Sequence, residues 1–141
     1  MTIKEIQEDV VSDFAFMENW EDKYEYIIQL GKELPMIQEA FKKEENLIKG
    51  CQSRVWLHAE LKDGKLYFTA DSDAVITKGL VSLVISVLSG HSPKEIAEAE
   101  IFFIDAIGLS SHLSPTRSNG LLSMLKQMKL YGIAYQAKMN Q

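Results

Sequence analysis

The sequence has 141 residues, of which 46% are hydrophobic and 25% charged, a composition typical of one globular domain rather than a disordered chain. The formal net charge is -5 and the basic residues are scattered among acidic ones, so the sequence lacks the basic footprint of a nucleic-acid-binding protein. Residues 80–88 form the longest apolar stretch, which is too short to cross a bilayer, and residues 1–13 do not resemble a signal peptide. We therefore expect a single cytoplasmic domain over residues 1–141, with no membrane or nucleic-acid partner.

The first third of the chain contains two helix patterns. Thr2 and Glu5 have the spacing of a capping box, and the apolar residues that follow recur every three or four positions up to residue 14. Asn19 is placed to cap a second amphipathic helix, which we expect to stop near Gly31 and Pro35. Residues 36–49 lose clear periodicity, so a short helical turn and a connection are expected there.

An alternating pattern replaces the helical one after residue 53. Apolar and polar side chains alternate from Val55 to about residue 61, which indicates a half-buried strand. Asp63 and Gly64 then form a strong hairpin signal, because both residues tolerate positive φ. The return strand is expected over residues 66–70.

The rest of the chain has helical patterns again. Asp71 and Ser72 are expected to cap a helix with a wide apolar face over residues 75–88. A capping box with proline at the first helical position starts another helix at Ser92, which we expect to continue to about residue 107 and to end at Gly108. After a loop over residues 110–114, a final helix begins at residue 115. This order predicts an α+β fold in which helices pack on one face of a small antiparallel sheet.

Cys51 is the only cysteine, so it excludes an internal disulfide and any cysteine-rich metal site. An isolated cysteine is commonly a small buried hydrophobe. Cys51, however, follows Gly50 at the point where a polar loop enters a strand, which is where reactive side chains tend to lie. Lys49 and Arg54 are close enough in sequence to favour the thiolate, but a solvated surface explains both cations equally well.

A cysteine hydrolase would need a positioned base beside Cys51, and the sequence has three histidines that could supply one. None lies in a recognised catalytic motif. His58 is expected to face solvent from its strand and His91 to lie in a turn. His112, in the loop before the last helix, is the hardest of the three to dismiss.

Residues 48–56 (IKGCQSRVW) resemble the SufE family of cysteine-desulfurase sulfur acceptors, which includes CsdE. The resemblance extends over most of the chain in the same order, through residues 19–24, 27–31, 34–35, 70–74, 78–80 and 109–121. It implies an α+β domain related to the IscU-type iron–sulfur scaffolds. It does not imply a bound cluster, because those scaffolds use several cysteine ligands and this chain has one.

The same resemblance implies that Cys51 accepts sulfur as a persulfide from a pyridoxal-phosphate cysteine desulfurase, SufS-like or CsdA-like, stimulates that enzyme, and delivers the sulfur to an iron–sulfur scaffold. The protein would be an accessory factor rather than an enzyme, with no cofactor of its own, and a homodimer stays open. Such a persulfide needs protection from cytosolic thiols. We therefore expect the Cys51 side chain to rest against apolar neighbours.

Several other positions are expected to support the Cys51 loop or the partner surface. Within the loop they are Gly50, Gln52, Ser53 and Arg54. Outside it, the resemblance suggests Asp73, which otherwise caps a helix, together with His112 and Arg117. An arginine at a helix N-terminus is unfavourable to the helix dipole, so Arg117 points to a purpose other than helix stability. Two alternatives stay open: a regulator of the desulfurase that carries no sulfur, and a cysteine hydrolase or thiol peroxidase.

Overall fold

The structure is a computed structural model that describes residues 1–51 and 53–140. The helices are α1 (Ile3–Ala15), α2 (Trp20–Lys32), α3 (Val75–Leu88), α4 (Pro93–Glu98), α5 (Phe103–Ala106), α6 (Leu109–His112) and α7 (Pro115–Met139). Two short 3-10 turns, Glu39–Phe41 and Glu44–Asn46, precede the strands β1 (Val55–Lys62) and β2 (Lys65–Ser72). The predicted α+β class, with a small antiparallel sheet and packed helices, is confirmed.

Local capping signals place the helix starts where the sequence predicts them. The Thr2 hydroxyl accepts a hydrogen bond from the Glu5 N–H, and the Glu5 carboxylate accepts one from the Thr2 N–H. Ser92 and Glu95 repeat this arrangement at the start of α4, with proline at its first position. Each box satisfies backbone donors that the first helical turn leaves without partners.

The two strands form an antiparallel pair in which Leu57 lies opposite Ala70 and Ala59 opposite Phe68. These four side chains are buried, so this face of the sheet belongs to the core. On the other face of β1, the first half lies against the preceding connection and the second half is exposed. The prediction that His58 faces solvent is wrong, because its ring stacks on that of Phe41 with 3.8 Å between centroids.

The predicted cap of α3 is also wrong. Ala74 is the N-cap residue and makes no side-chain capping bond, while Asp71 and Ser72 belong to β2. Asp71 instead binds Lys42 at 2.6 Å and Lys78 at 3.4 Å. Burial alone would raise the pKa of Asp71, but the Lys42 ammonium, the Ser72 N–H and Lys78 together hold that pKa below its usual value. The carboxylate therefore ties the connection before β1 to the start of α3.

The helix predicted from Ser92 to residue 107 is interrupted between α4 and α5. The buried Gln7 side chain of α1 explains the break, because its amide bonds to the backbone there. It donates to the carbonyl of Glu100 and accepts from the N–H groups of Phe102 and Phe103. These bonds satisfy backbone groups that a helix would otherwise pair, and buried backbone groups need such partners. The loop predicted over residues 110–114 overlaps the single helical turn α6.

Helix α3 lies at the centre of the fold and is buried over most of its length. It packs against β2, α2 and α7, while α4 packs against α7. Gly79 lets α3 and α2 approach to backbone contact. Within the described residues, no helix combines the length and the apolar character needed to cross a membrane.

Candidate functional site

Cys51 lies in a short loop that leads into β1. The loop is closed at its base by a 2.8 Å hydrogen bond from the Ile48 N–H to the Val55 carbonyl. On the β1 side, the Arg54 N–H donates to the Asp73 carboxylate at 3.1 Å, and the Asp73 N–H donates to the Arg54 carbonyl at 3.3 Å. Asp73 therefore joins this loop to the segment before α3. Gln52, which the sequence also suggested as a support, lies outside the described residues.

Gly50 shapes the loop on the other side of the cysteine. Its φ of 87° lies in the left-handed region, which residues with a Cβ atom rarely adopt. A Cβ atom at this position would also come within 3.0 Å of the Ser123 hydroxyl on α7. Glycine therefore meets two requirements here, a left-handed turn and a close approach to α7.

The Cys51 side chain points at α7 and is half-buried. Its thiol donates a weak hydrogen bond to the Gly120 carbonyl, with 3.6 Å between sulfur and oxygen. Gly120 is buried, and a Cβ atom on it would lie only 3.1 Å from the Cys51 sulfur. The position of the thiol against α7 thus depends on the absence of a side chain at position 120.

A cavity of about 40 Å³ adjoins the thiol. About 10–15 Å³ in this measure holds one water molecule, so the space admits a small group bonded to the sulfur. The wall is mainly apolar, and its polar members come from the loop, α3 and the start of α7. The lining residues are Cys51, Ser53, Val55, Thr77, Leu80, Val81, Thr116, Arg117, Gly120, Leu121 and Met124.

The electrostatics of the free protein favour a protonated thiol. Burial raises the pKa of Cys51, and neither Lys49 nor Arg54 offsets this effect. Of the two explanations for these exposed cations, the structure favours solvated surface over activation of the thiol. Within residues 1–51 and 53–140, no group of three histidine, cysteine or acidic side chains could hold a metal ion.

This burial predicts how Cys51 responds to pH. The half-maximal rate of alkylation by iodoacetamide should occur at a higher pH in the folded protein than in the protein unfolded in urea. Near pH 8 the alkylation rate of the folded protein should be at most about one tenth of the rate of the unfolded protein, because both thiolate content and access are reduced. Alkylation followed by mass spectrometry measures both profiles. Coincident profiles would contradict the burial of the thiol.

The sequence of the whole chain identifies its family. The domain family described as "Fe-S metabolism associated domain", SufE, matches residues 8–131. The chain belongs to the SufE family. An uncharacterized SufE-like protein of Rhizobium meliloti (strain 1021) is 43% identical over 127 residues, which cover 86% of this chain and 91% of that protein. A SufE-like protein of Rhizobium etli, also uncharacterized, is 42% identical over 127 residues, 86% of each chain.

A solved structure with low sequence identity to this chain supports the fold. The solution structure of a hypothetical protein from Thermus thermophilus matches with a TM-score of 0.80 and covers 97% of this chain and 99% of that one. The two sequences are 19% identical, so this similarity concerns the fold. The SufE family is associated with iron–sulfur metabolism, and this is the functional context of the chain.

The suggested support residues lie at different places relative to Cys51. Ser53 and Arg117 line the cavity beside Cys51. The Arg117 side chain is exposed, and its backbone N–H donates to the Ser114 hydroxyl, the N-cap of α7. His112 is not among the lining residues. Its ring stacks on Trp20 with 3.8 Å between centroids, and its Nδ1–H donates to the Gly108 carbonyl.

Most lining residues were not predicted as site residues from the sequence, and Thr77 and Gly120 are the two that matter most for the chemistry of the cavity. Thr77 faces the cavity from α3, and no sequence motif marked it. Gly120 did carry a signal, because an isolated glycine inside a helical pattern usually has a packing or functional reason. That signal does not reveal the partner, and Gly120 meets a cysteine 69 positions away along the chain.

Proposed function

We propose that this protein accepts sulfur on Cys51 from a pyridoxal-phosphate cysteine desulfurase, stimulates that enzyme, and delivers the sulfur to a cytoplasmic iron–sulfur scaffold. The pyridoxal phosphate belongs to the partner. The chain is an accessory factor in this scheme and contributes a nucleophile rather than a complete catalytic centre. Its membership of a family associated with iron–sulfur metabolism supports this context.

The proposed transfer is a thiol–persulfide exchange. The Cys51 thiolate attacks the outer sulfur of the desulfurase persulfide, a new sulfur–sulfur bond forms, and the desulfurase cysteine leaves as a thiolate. The proton lost from the Cys51 thiol compensates the charge of that leaving group through solvent. No tetrahedral oxyanion forms, so the reaction needs no oxyanion hole.

The half-buried thiol beside an apolar cavity carries the proposal. A carrier has to protect its persulfide from soluble thiols and yet present the sulfur to a partner. The described loop residues meet both needs, because Cys51 is partly sheltered by Gly120 while its neighbours Lys49, Gly50 and Arg54 are exposed. The raised pKa of the resting thiol fits a cysteine that becomes reactive only after a partner displaces the loop.

Mass spectrometry tests the proposal directly. After incubation with a desulfurase and free cysteine, Cys51 should gain the mass of one or more sulfur atoms. Cys51→Ser should gain none and should reduce the stimulation of the desulfurase about tenfold or more, because the step from one protein to the other then lacks its acceptor. An unmodified wild-type Cys51 under these conditions would contradict sulfur transfer.

The same substitution separates the carrier from a regulator that only changes the conformation of the desulfurase. A regulator would keep its stimulation in Cys51→Ser. The geometry gives less support to a hydrolase, since none of the described histidines lines the cavity. His58 is stacked on Phe41, and His91 contacts the carbonyls of Leu88 and Met1. A thiol without a base at hydrogen-bonding distance suits exchange with another sulfur better than attack on a carbonyl.

A further inference from the structure

The Cys51 cavity has polar groups in an otherwise apolar wall, and they differ in exposure. Thr116 and Arg117 are exposed at the start of α7, whereas Ser53 and Thr77 are half-buried. Ser53 belongs to the cysteine loop itself. Thr77 lies in α3, which is fixed by its packing against α2 and β2. Thr77 is therefore the half-buried hydroxyl of this cavity that a movement of the cysteine loop would leave in place.

The Thr77 hydroxyl is without a hydrogen-bond partner in the described part of the chain. Thr77 is the third residue of α3, so the carbonyls three and four positions earlier belong to Ala74 and Asp73, and its hydroxyl bonds to neither. The Thr77 hydroxyl is also partly accessible. Among the described residues, every fully buried side-chain oxygen has a hydrogen-bond partner, and the Thr77 oxygen has none. An open, unused donor on the cavity wall is suited to a ligand.

Loading Cys51 with sulfur changes what the cavity has to accommodate. The resting thiol donates to the Gly120 carbonyl, but a persulfide has no hydrogen on the inner sulfur and this bond is lost. The outer sulfur is bonded to the inner sulfur at a distance of about 2.05 Å and therefore needs space beyond the resting thiol. It ionises more readily than a thiol, because the adjacent sulfur stabilises the charge. A partly buried anion needs hydrogen-bond donors, and the Gly120 carbonyl cannot serve as one.

We propose that the Thr77 hydroxyl donates a hydrogen bond to the outer sulfur of the Cys51 persulfide and thereby prolongs the lifetime of the loaded protein. This inference rests on the proposed function, since it concerns the state in which Cys51 carries sulfur. Ionisation protects a persulfide from attack by thiolates through charge repulsion. A donor that favours the ionised form therefore slows the removal of sulfur by soluble thiols.

The test uses chemically loaded protein, so that it does not depend on a desulfurase. Polysulfide transfers one sulfur atom to the Cys51 thiolate and leaves as a shorter polysulfide. Alkylation of the outer sulfur is then followed by mass spectrometry as a function of pH. In Thr77→Val the half-maximal rate should move up by about one pH unit, a tenfold change in the ionisation constant. Removal of sulfur by glutathione near pH 7 should become several-fold faster.

Matched variants separate hydrogen bonding from packing. Thr77→Ser keeps the hydroxyl and should restore the wild-type profile, whereas Thr77→Ala lacks it and should behave like Thr77→Val. Thr69→Val changes a half-buried threonine on β2 that does not line the cavity, and should leave both measurements unchanged. The pH profile of unloaded Cys51 should also stay unchanged, because that sulfur rests against Gly120.

Equal profiles for wild type, Thr77→Val and Thr77→Ala in the loaded state would overturn the role of Thr77. Failure of serine to restore the profile would do the same. The proposed function fails by a different result, namely that wild-type protein acquires no sulfur from any desulfurase. Chemical loading keeps the two outcomes distinct.

Discussion

Replacing Gly79 with alanine should lower the free energy of unfolding by about 3 kcal/mol or more, at the upper end of the usual cost of overpacking. The new Cβ atom would lie 2.1 Å from the carbonyl oxygen of Ile27 and 2.7 Å from its carbonyl carbon. These are backbone atoms of α2, so no rotation of a side chain relieves the overlap. Helices α2 and α3 would have to separate, and the buried Ile27 would lose its packing.

Thermal and urea unfolding measure this effect. A loss of about 3 kcal/mol corresponds to a fall of about 10 °C in Tm for a domain of this size. Gly31→Ala adds a Cβ atom on the opposite helix, 3.1 Å from the Gly79 nitrogen, and should cost less. Val75→Ala is a control at an exposed position of the same helix and should change Tm little. A Gly79→Ala protein as stable as this control would contradict the backbone contact between the two helices.

The sequence predicts those parts of the fold that depend on neighbouring residues. The capping boxes at Thr2 and Ser92 each involve residues three positions apart, so a short stretch of sequence contains the complete interaction. The hairpin follows in the same way from Asp63 and Gly64, which adopt positive φ at the turn. The alternation of apolar and polar residues in β1 predicts which face of the sheet is buried.

The incorrect predictions involve residues that are far apart along the chain. Asp71 has the sequence position of a helix cap, but Lys42 and Lys78 bind its carboxylate and keep it in β2. The helix predicted up to residue 107 is broken because Gln7, 93 positions before Glu100, bonds to the backbone there. A periodic pattern contains no information about such distant partners, so tertiary contacts override local propensity.

In the candidate site, too, the local features were predictable from the sequence and the contacts between distant residues were not. The loop character around Cys51 was readable locally, because Gly50 and the change from irregular to alternating pattern lie beside it. The cavity is formed by four separate elements, the loop, the start of β1, α3 and α7. The resemblance and an unfavourable position at a helix N-terminus both suggested Arg117, and the resemblance also suggested His112. The stacking of His112 on Trp20, which places it elsewhere, depends on how α2 and α6 pack.

Gly120→Ala should separate the stability of the protein from the protection of its thiol. Alanine is favoured over glycine inside a helix by about 1 kcal/mol, so α7 itself should gain stability. The added Cβ atom would lie 3.1 Å from the Cys51 sulfur and 3.5 Å from its Cα atom. Because the nearer atom is the end of a side chain, Cys51 can rotate away at little cost. The protein should therefore keep or raise its Tm while the sulfur leaves its position against α7.

The displaced thiol should react with iodoacetamide about tenfold faster near pH 8, because access increases and the pKa raised by burial returns toward its ordinary value. Asn119→Ala, at an exposed position one residue earlier in α7, is the matched control and should leave the rate unchanged. If sulfur is loaded on Cys51, the Gly120→Ala protein should also lose it faster to glutathione. An unchanged alkylation rate at unchanged Tm would mean that contact with α7 does not shelter the thiol, and the protective role assigned to the cavity would lose its basis.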